Sequence, residues 1–135
     1  MNAKLNWLGI IVATVVAFFL GFLWYGLIFA EQWMALTGVT DEGSGNAMWM
    51  LLGVVQTFVT MVGLGWLIGR DCGGWMNGLK MGLVAGVCFA LTTSAYGFIY
   101  QTSAMGLLPI DWSHLLAVYA VGGAIIGGLK MKPKA

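Results

Sequence analysis

The chain has 135 residues, of which 60% are hydrophobic and only 8% are charged, whereas a soluble domain carries about 25% charged residues. Its six basic and five acidic residues give a net charge of +1, which provides no basic field for a nucleic acid. This composition argues against a soluble enzyme, a disordered segment and a nucleic-acid-binding protein. It predicts an integral membrane protein surrounded by the lipid bilayer.

Four apolar stretches account for most of the chain. They cover approximately residues 5–29, 47–69, 79–100 and 110–129. As helices, all four are long enough to cross about 30 Å of hydrocarbon, and a helix satisfies its own backbone hydrogen bonds, which lipid cannot do. The sequence therefore predicts an all-α integral membrane fold, a bundle of four transmembrane helices forming a single domain over residues 1–135.

The basic residues predict the orientation of this bundle. In a four-pass chain all six lie on one side: Lys4, Arg70, Lys80, Lys130, Lys132 and Lys134. The opposite side holds no basic residue and carries Glu31, Asp41, Glu42 and Asp111. Because basic residues are retained in the cytoplasm, both termini are predicted to be cytoplasmic.

Small residues recur at every fourth position in the spans. The candidate packing positions are Gly9, Ala13, Ala17, Gly21, Gly74, Gly78, Gly82, Gly86, Gly123 and Gly127. Lipid is as apolar as leucine, so membrane helices associate through close backbone contact at such positions. The stripes indicate packing within one bundle or, alternatively, contact with another subunit. The third span has the longest stripe, and we expect it at the centre of the bundle.

The first and third spans end in similar sequences. Residues 25–29 read YGLIF and residues 96–100 read YGFIY. The similarity indicates two tandem two-helix repeats, related by an axis along the membrane normal. Convergent composition explains it equally well.

A few polar residues fall within the apolar stretches. Gln56 is the most costly to leave unpaired. It is expected either to make an interhelical hydrogen bond or to coordinate a solute opposite Thr92 and Thr93, with Tyr96 nearby.

Asp111 and His114 lie three residues apart at the outer start of the fourth span. Asp111 suits the N-cap of this helix, where it also favours the positive end of the helix dipole. A cation site that combines both residues with Glu31 is the weaker alternative, and no metal or cofactor is expected. The chain has a single histidine, and no catalytic constellation is recognised.

Several segments carry a family resemblance. They are residues 6–8 (NWL), residues 20–26 (LGFLWYG) with Phe29 and residues 33–34 (WM), and later residues 114–116 (HLL) and 122–127 (GGAIIG). The chain resembles the small bacterial membrane proteins grouped as domain of unknown function 1761. The resemblance implies a four-helix membrane protein and no particular activity.

Two classes of function follow from these observations. The first is a non-catalytic subunit or assembly factor in the bacterial cytoplasmic (inner) membrane, which associates through its glycine-rich faces with itself or with a larger complex. The second is a small solute or ion transporter or channel. The interiors of the spans lack the ionisable residues that mark ion and proton pathways, which favours the subunit over the transporter.

Overall fold

The computed structural model describes residues 4–39, 47–70 and 73–129, and all regular structure within these ranges is helical. Four long helices are present: α1 (Trp7–Ile28), α3 (Ala47–Arg70), α4 (Trp75–Tyr100) and α5 (Leu107–Gly128). A short helix, α2 (Ala30–Thr37), follows α1. Each long helix is long and apolar enough to cross a membrane, which confirms the predicted all-helical class and the number of membrane-capable helices.

Asn6 joins the start of α1 to the end of α5. Its side-chain oxygen caps α1 by accepting a hydrogen bond from the backbone N–H of Gly9. Its amide nitrogen donates to the carbonyl oxygens of Ile126, at 2.9 Å, and of Leu129. One side chain therefore satisfies donors and acceptors at two helix ends, which otherwise lack partners.

Helix α5 lies at the centre of the bundle. It packs against α1, α3 and α4, whereas α4 has few contacts with α3. The expectation that the third span would be central is therefore wrong. The reason is that α5 carries small residues on more than one face: Gly123 and Gly127 face α4, and Gly122 faces Met61 of α3.

The contact between α4 and α5 is a contact between backbones. A Cβ atom added to Gly78 would overlap the carbonyl oxygen of Gly123, and one added to Gly82 would overlap that of Tyr119. The N–H of Gly74 also donates to the carbonyl oxygen of Gly127, at 2.8 Å. The glycine stripe of the third span, continued by Gly74 and Gly86, thus faces α5 of the same chain.

The stripe of α1 is also directed inward. Ala13 and Ala17 are buried. Gly9 packs near the backbone of Ile126, and Gly21 faces the imidazole of His114. Small residues from Gly9 to Gly21 therefore allow α1 to approach α5 over about three helical turns.

Helix α3 is packed over only half of its length. Its buried residues are Met61, Leu64, Gly65 and Ile68, all in the second half. They join Ile10 of α1 and Ile126 of α5 in the hydrophobic core. Between Ala47 and Thr60 no residue of α3 is buried, so the bundle is closed at one end and open at the other.

The closed end carries the basic residues that the structure describes. Lys4 precedes α1, Arg70 ends α3 and Lys80 lies in the second turn of α4. Glu31 and Asp111 lie towards the opposite end, next to the end of α1. The other charges used for the orientation lie outside the described residues: Asp41, Glu42, Lys130, Lys132 and Lys134.

Replacing Gly82 with alanine is expected to destabilise the protein by about 1–3 kcal/mol, the usual cost of overpacking, because the new methyl group meets the backbone of α5. The free energy of unfolding in mild detergent measures this loss. The matched control is Gly63→Ala in α3, where an added Cβ meets no atom within 4 Å. Equal stability of the two variants would contradict the backbone contact.

Candidate binding cavity

A cavity of about 610 Å³ lies between α1, α2, α3 and α5. It results from the unpacked half of α3 and from small residues on its walls, namely Ala17, Gly21 and Gly53. Its volume falls within the range of about 300–1,000 Å³ that is typical of small-molecule sites. The cavity is therefore large enough to hold a ligand.

Most of the wall is apolar, with aromatic and sulfur-containing side chains at the end closed by α2. The larger apolar and aromatic residues are Phe18, Phe22, Tyr25, Trp33, Met34, Met50, Leu115, Val118 and Tyr119. The hydrogen-bonding groups are fewer and come from Gln56, Thr57, Thr60 and His114, in addition to the tyrosines. An apolar wall with a few polar groups is the usual composition of a ligand site.

The polar residues of α3 differ in their hydrogen bonding. The hydroxyl of Thr57 donates to the carbonyl oxygen of Gly53, at 2.8 Å, and that of Thr60 donates to the carbonyl oxygen of Gln56, at 3.0 Å. Each hydroxyl is satisfied as a donor within its own helix and keeps a lone pair. The Gln56 side chain lines the cavity, is exposed, and has no hydrogen-bond partner among the described residues.

His114, Tyr25 and Asp111 form a cluster beside the cavity. The hydroxyl of Tyr25 donates to Oδ1 of Asp111 over 2.7 Å. The Tyr25 ring meets the His114 imidazole edge to face, with their centroids 4.9 Å apart. Nε2 of His114 is buried without a hydrogen-bond partner in the described part of the chain, because it faces Gly21, where a Cβ would lie 3.5 Å away.

The end of α1 is π-helical, from Leu23 to Ile28. This segment presents two successive aromatic residues to α5: Tyr25 contacts Asp111, and the indole N–H of Trp24 donates to Oγ of Ser113 at 2.9 Å. Single-turn π-helical insertions are frequent at functional sites. Trp24, Tyr25 and Ser113 were not predicted as site residues from the sequence. The hydroxyl of Tyr25 and the indole N–H of Trp24, which suit hydrogen bonds to polar residues such as Asp111 and Ser113, could have indicated them.

The interpretation of Asp111 as the N-cap of the fourth span is wrong. Helix α5 begins at Leu107, after Gly106, and contains Pro109 in its first turn, where a missing N–H costs no helical hydrogen bond. Asp111 and His114 consequently lie about 6 Å and about 10 Å along the helix from its first residue, at 1.5 Å per residue. Both are ionisable residues in the first two or three turns of a membrane-capable helix.

The other predicted polar residues are not brought to this site. Thr92, Thr93 and Tyr96 lie on α4, which contributes no described residue to the cavity wall. The Thr92 hydroxyl donates to the carbonyl oxygen of Cys88 at 2.6 Å, and Thr93 and Tyr96 are exposed. The expected grouping of Gln56 opposite Thr92 and Thr93 is therefore wrong, because α5 and not α4 faces Gln56 across the cavity.

The described ranges contain no group of three or more His, Cys, Asp or Glu side chains placed to hold a metal ion. Glu31 is exposed in α2. The carboxylate of Asp111 instead accepts the hydrogen bond from Tyr25. The alternative of a cation site formed by Glu31, Asp111 and His114 has no support in this arrangement.

Tyr25→Phe is expected to lower the free energy of unfolding by about 1–2 kcal/mol, because it removes the hydrogen bond to Asp111 and leaves a carboxylate without its donor. Denaturant titration in mild detergent measures the change. Tyr96→Phe is the matched control, since Tyr96 is 63% exposed and its ring packs against Tyr100. The interaction is contradicted if the two variants are equally stable.

Comparison with known proteins identifies the family of the chain. A family model described as "Protein of unknown function (DUF1761)" matches residues 8–127. No curated protein and no solved structure shows a significant match. Because the family model covers most of the chain and agrees with the resemblance carried by the first and fourth spans, the protein belongs to the DUF1761 family.

Proposed function

We propose that this protein is a multi-pass membrane protein that binds a small solute in the cavity between α1, α3 and α5, as a member of the transporter class. The cavity itself is the observation that carries the proposal. A membrane-capable bundle that leaves about 610 Å³ open beside the unpartnered Nε2 of His114 lacks packing energy that a bound ligand would supply.

The position of Asp111 and His114 supports the same proposal. Ionisable side chains within membrane helices are costly and commonly mark solute or proton pathways. Asp111 is linked through Tyr25 to the cavity wall, and His114 is part of that wall. The preference for a subunit relied on spans whose interiors lack ionisable residues, and α5, which begins at Leu107, includes both of these residues.

The glycine-rich faces of α4 and α5 already pack against each other within the chain. Gly78, Gly82, Gly123 and Gly127 meet backbone atoms of the neighbouring helix. A partner subunit cannot use these positions without displacing α4 from α5. This intramolecular use removes the main support for association through glycine-rich faces.

A non-catalytic subunit, or a homo-oligomer, is the second candidate. A separate observation favours it: α3 and α4 diverge and leave a groove of about 230 Å³, lined by Val59, Gly63, Leu67 and Phe89 among others. Large exposed apolar side chains flank this groove. Lipid covers such a surface as readily as another protein does, so the cavity is the stronger indication.

Native mass spectrometry from nanodiscs distinguishes the two candidates. The wild-type protein is expected to retain a small-molecule adduct, and Gly53→Leu is expected to lose it, because the new side chain occupies the cavity. The control is Gly63→Leu, which places the same side chain on α3 towards the other groove. Absence of any adduct from the wild type, with retention of a protein partner or a second copy, would instead favour the subunit.

We further propose that the protein lies in the cytoplasmic membrane of a bacterium with both termini in the cytoplasm. The described basic residues Lys4, Arg70 and Lys80 support this orientation, since they lie at or near one end of the bundle and basic residues are retained inside. The pair of tandem two-helix repeats remains a prediction from the similar ends of the first and third spans.

Reporter fusions test the orientation. Alkaline phosphatase inserted after Gly38, at the end of α2, is expected to be active, because this site faces outward. A fluorescent protein fused after Ala135 is expected to fluoresce in the cytoplasm. An inactive phosphatase after Gly38, together with a fluorescent protein after Ala135 that does not fluoresce, would contradict the proposed orientation.

A further inference from the structure

We infer that the ligand of the cavity is an uncharged molecule with an apolar, ring-bearing body and one amide-like group, and that this group pairs with the side chain of Gln56. The inference rests on the proposed function and names the chemical class that the site accepts. Three observations support this inference: the volume of the cavity, the absence of Lys, Arg, Asp and Glu side chains from its described wall, and the unpaired amide of Gln56.

The size of the cavity sets the size of the ligand. The volume of about 610 Å³ lies within the range of about 300–1,000 Å³ that holds drug-sized organic molecules. A metal ion or another inorganic ion is far smaller, and a folded peptide chain is far larger. The space therefore fits a small organic molecule.

The absence of Lys, Arg, Asp and Glu side chains from the described wall argues against a charged ligand. Among the residues described, no Lys, Arg, Asp or Glu side chain lines the cavity. The carboxylate of Asp111 accepts a hydrogen bond from the Tyr25 hydroxyl and does not line the cavity. Because a charge without a partner is very costly to bury in an apolar site, the ligand is uncharged.

Gln56 is the group best placed to recognise a polar part of such a ligand. Its side chain offers two N–H donors and one carbonyl acceptor, and none of them is used by a described residue. Thr57 and Thr60 donate to their own helix and can only accept from a ligand. His114 is less suited, since its unpartnered Nε2 is buried.

The hydrogen-bonding groups of Gln56, Thr57 and Thr60 suit a ligand that carries an amide group. An amide group both donates and accepts hydrogen bonds, so it can pair with either the carbonyl oxygen or the NH₂ group of the Gln56 side chain. The aromatic end of the cavity, where the rings of Tyr25 and Trp33 meet edge to face at 5.7 Å, favours an aromatic ring in the rest of the ligand. The amide and the ring together define the proposed class.

Three probes of nearly equal size test the inference. They are N-phenyl-2-naphthamide, the hydrocarbon 2-(2-phenylethyl)naphthalene, and the same amide with a para-carboxylate on its phenyl ring. Their dissociation constants are obtained from the rise in melting temperature with probe concentration. All measurements use nanodiscs at one lipid-to-protein ratio, so that partition into lipid is the same for every variant.

For the wild type we expect the amide to bind about five- to tenfold more tightly than the hydrocarbon, as one or two neutral hydrogen bonds provide, and the carboxylate to bind at least tenfold more weakly than the amide. Gln56→Leu should reduce the affinity for the amide to that for the hydrocarbon and leave the hydrocarbon unaffected. The control is Gln101→Leu, which removes the same group outside the cavity and should behave as wild type.

Other outcomes distinguish a failure of this inference from a failure of the proposed function. Equal binding of amide and hydrocarbon, tight binding of the carboxylate, or a preference for the amide that survives Gln56→Leu would overturn the inference. The proposed function would still stand if the hydrocarbon binds to the wild type and not to Gly53→Leu. If none of the three probes binds, the cavity is not a binding site and both proposals fall.

Discussion

Direct contact between the backbones of α4 and α5 is the constraint on which the rest of the bundle depends. Gly78 and Gly123 approach so closely that neither position has room for a methyl group. In lipid, where the burial of apolar side chains gains little, such close approach is the main source of attraction between helices. Because α5 uses one small face for α4 and others for α1 and α3, it becomes the central helix. The Asn6 side chain then joins the start of α1 to the end of α5.

The cavity is a consequence of this arrangement. Helix α3 is held by Met61, Leu64 and Ile68 near the closed end, and nothing comparable holds its first half against α1 or α5. At that level Gly21 of α1 and Gly53 of α3 line the cavity, where larger side chains would fill part of its volume. The same type of residue therefore has opposite effects in two places. Glycines that face a backbone bring helices together, whereas glycines that face an open space enlarge it.

The polar chemistry is concentrated at the open end. Tyr25 connects α1 to Asp111 of α5, and its ring contacts His114. The π-helical turn from Leu23 to Ile28 accompanies this contact. On the opposite wall Gln56 presents an amide without a partner. A hydrogen-bonded polar pair on one side and an unpaired amide on the other, with an apolar space between them, support the proposed recognition of an uncharged ligand by one polar group.

The sequence by itself determined the all-helical class, the four membrane-capable spans to within a few residues at most ends, and the family, because long apolar runs and their flanking residues are local properties of the chain. It also singled out Gln56, Asp111 and His114 as polar residues of interest. Only the tertiary structure decided that α5 is central, that Gln56 faces α5 and not Thr92 and Thr93, and that Asp111 pairs with Tyr25. These features depend on the rotation of each helix about its axis and on how closely neighbouring backbones approach. Spacing along a nearly uniform apolar sequence does not specify either quantity, since every face of such a helix is equally compatible with lipid.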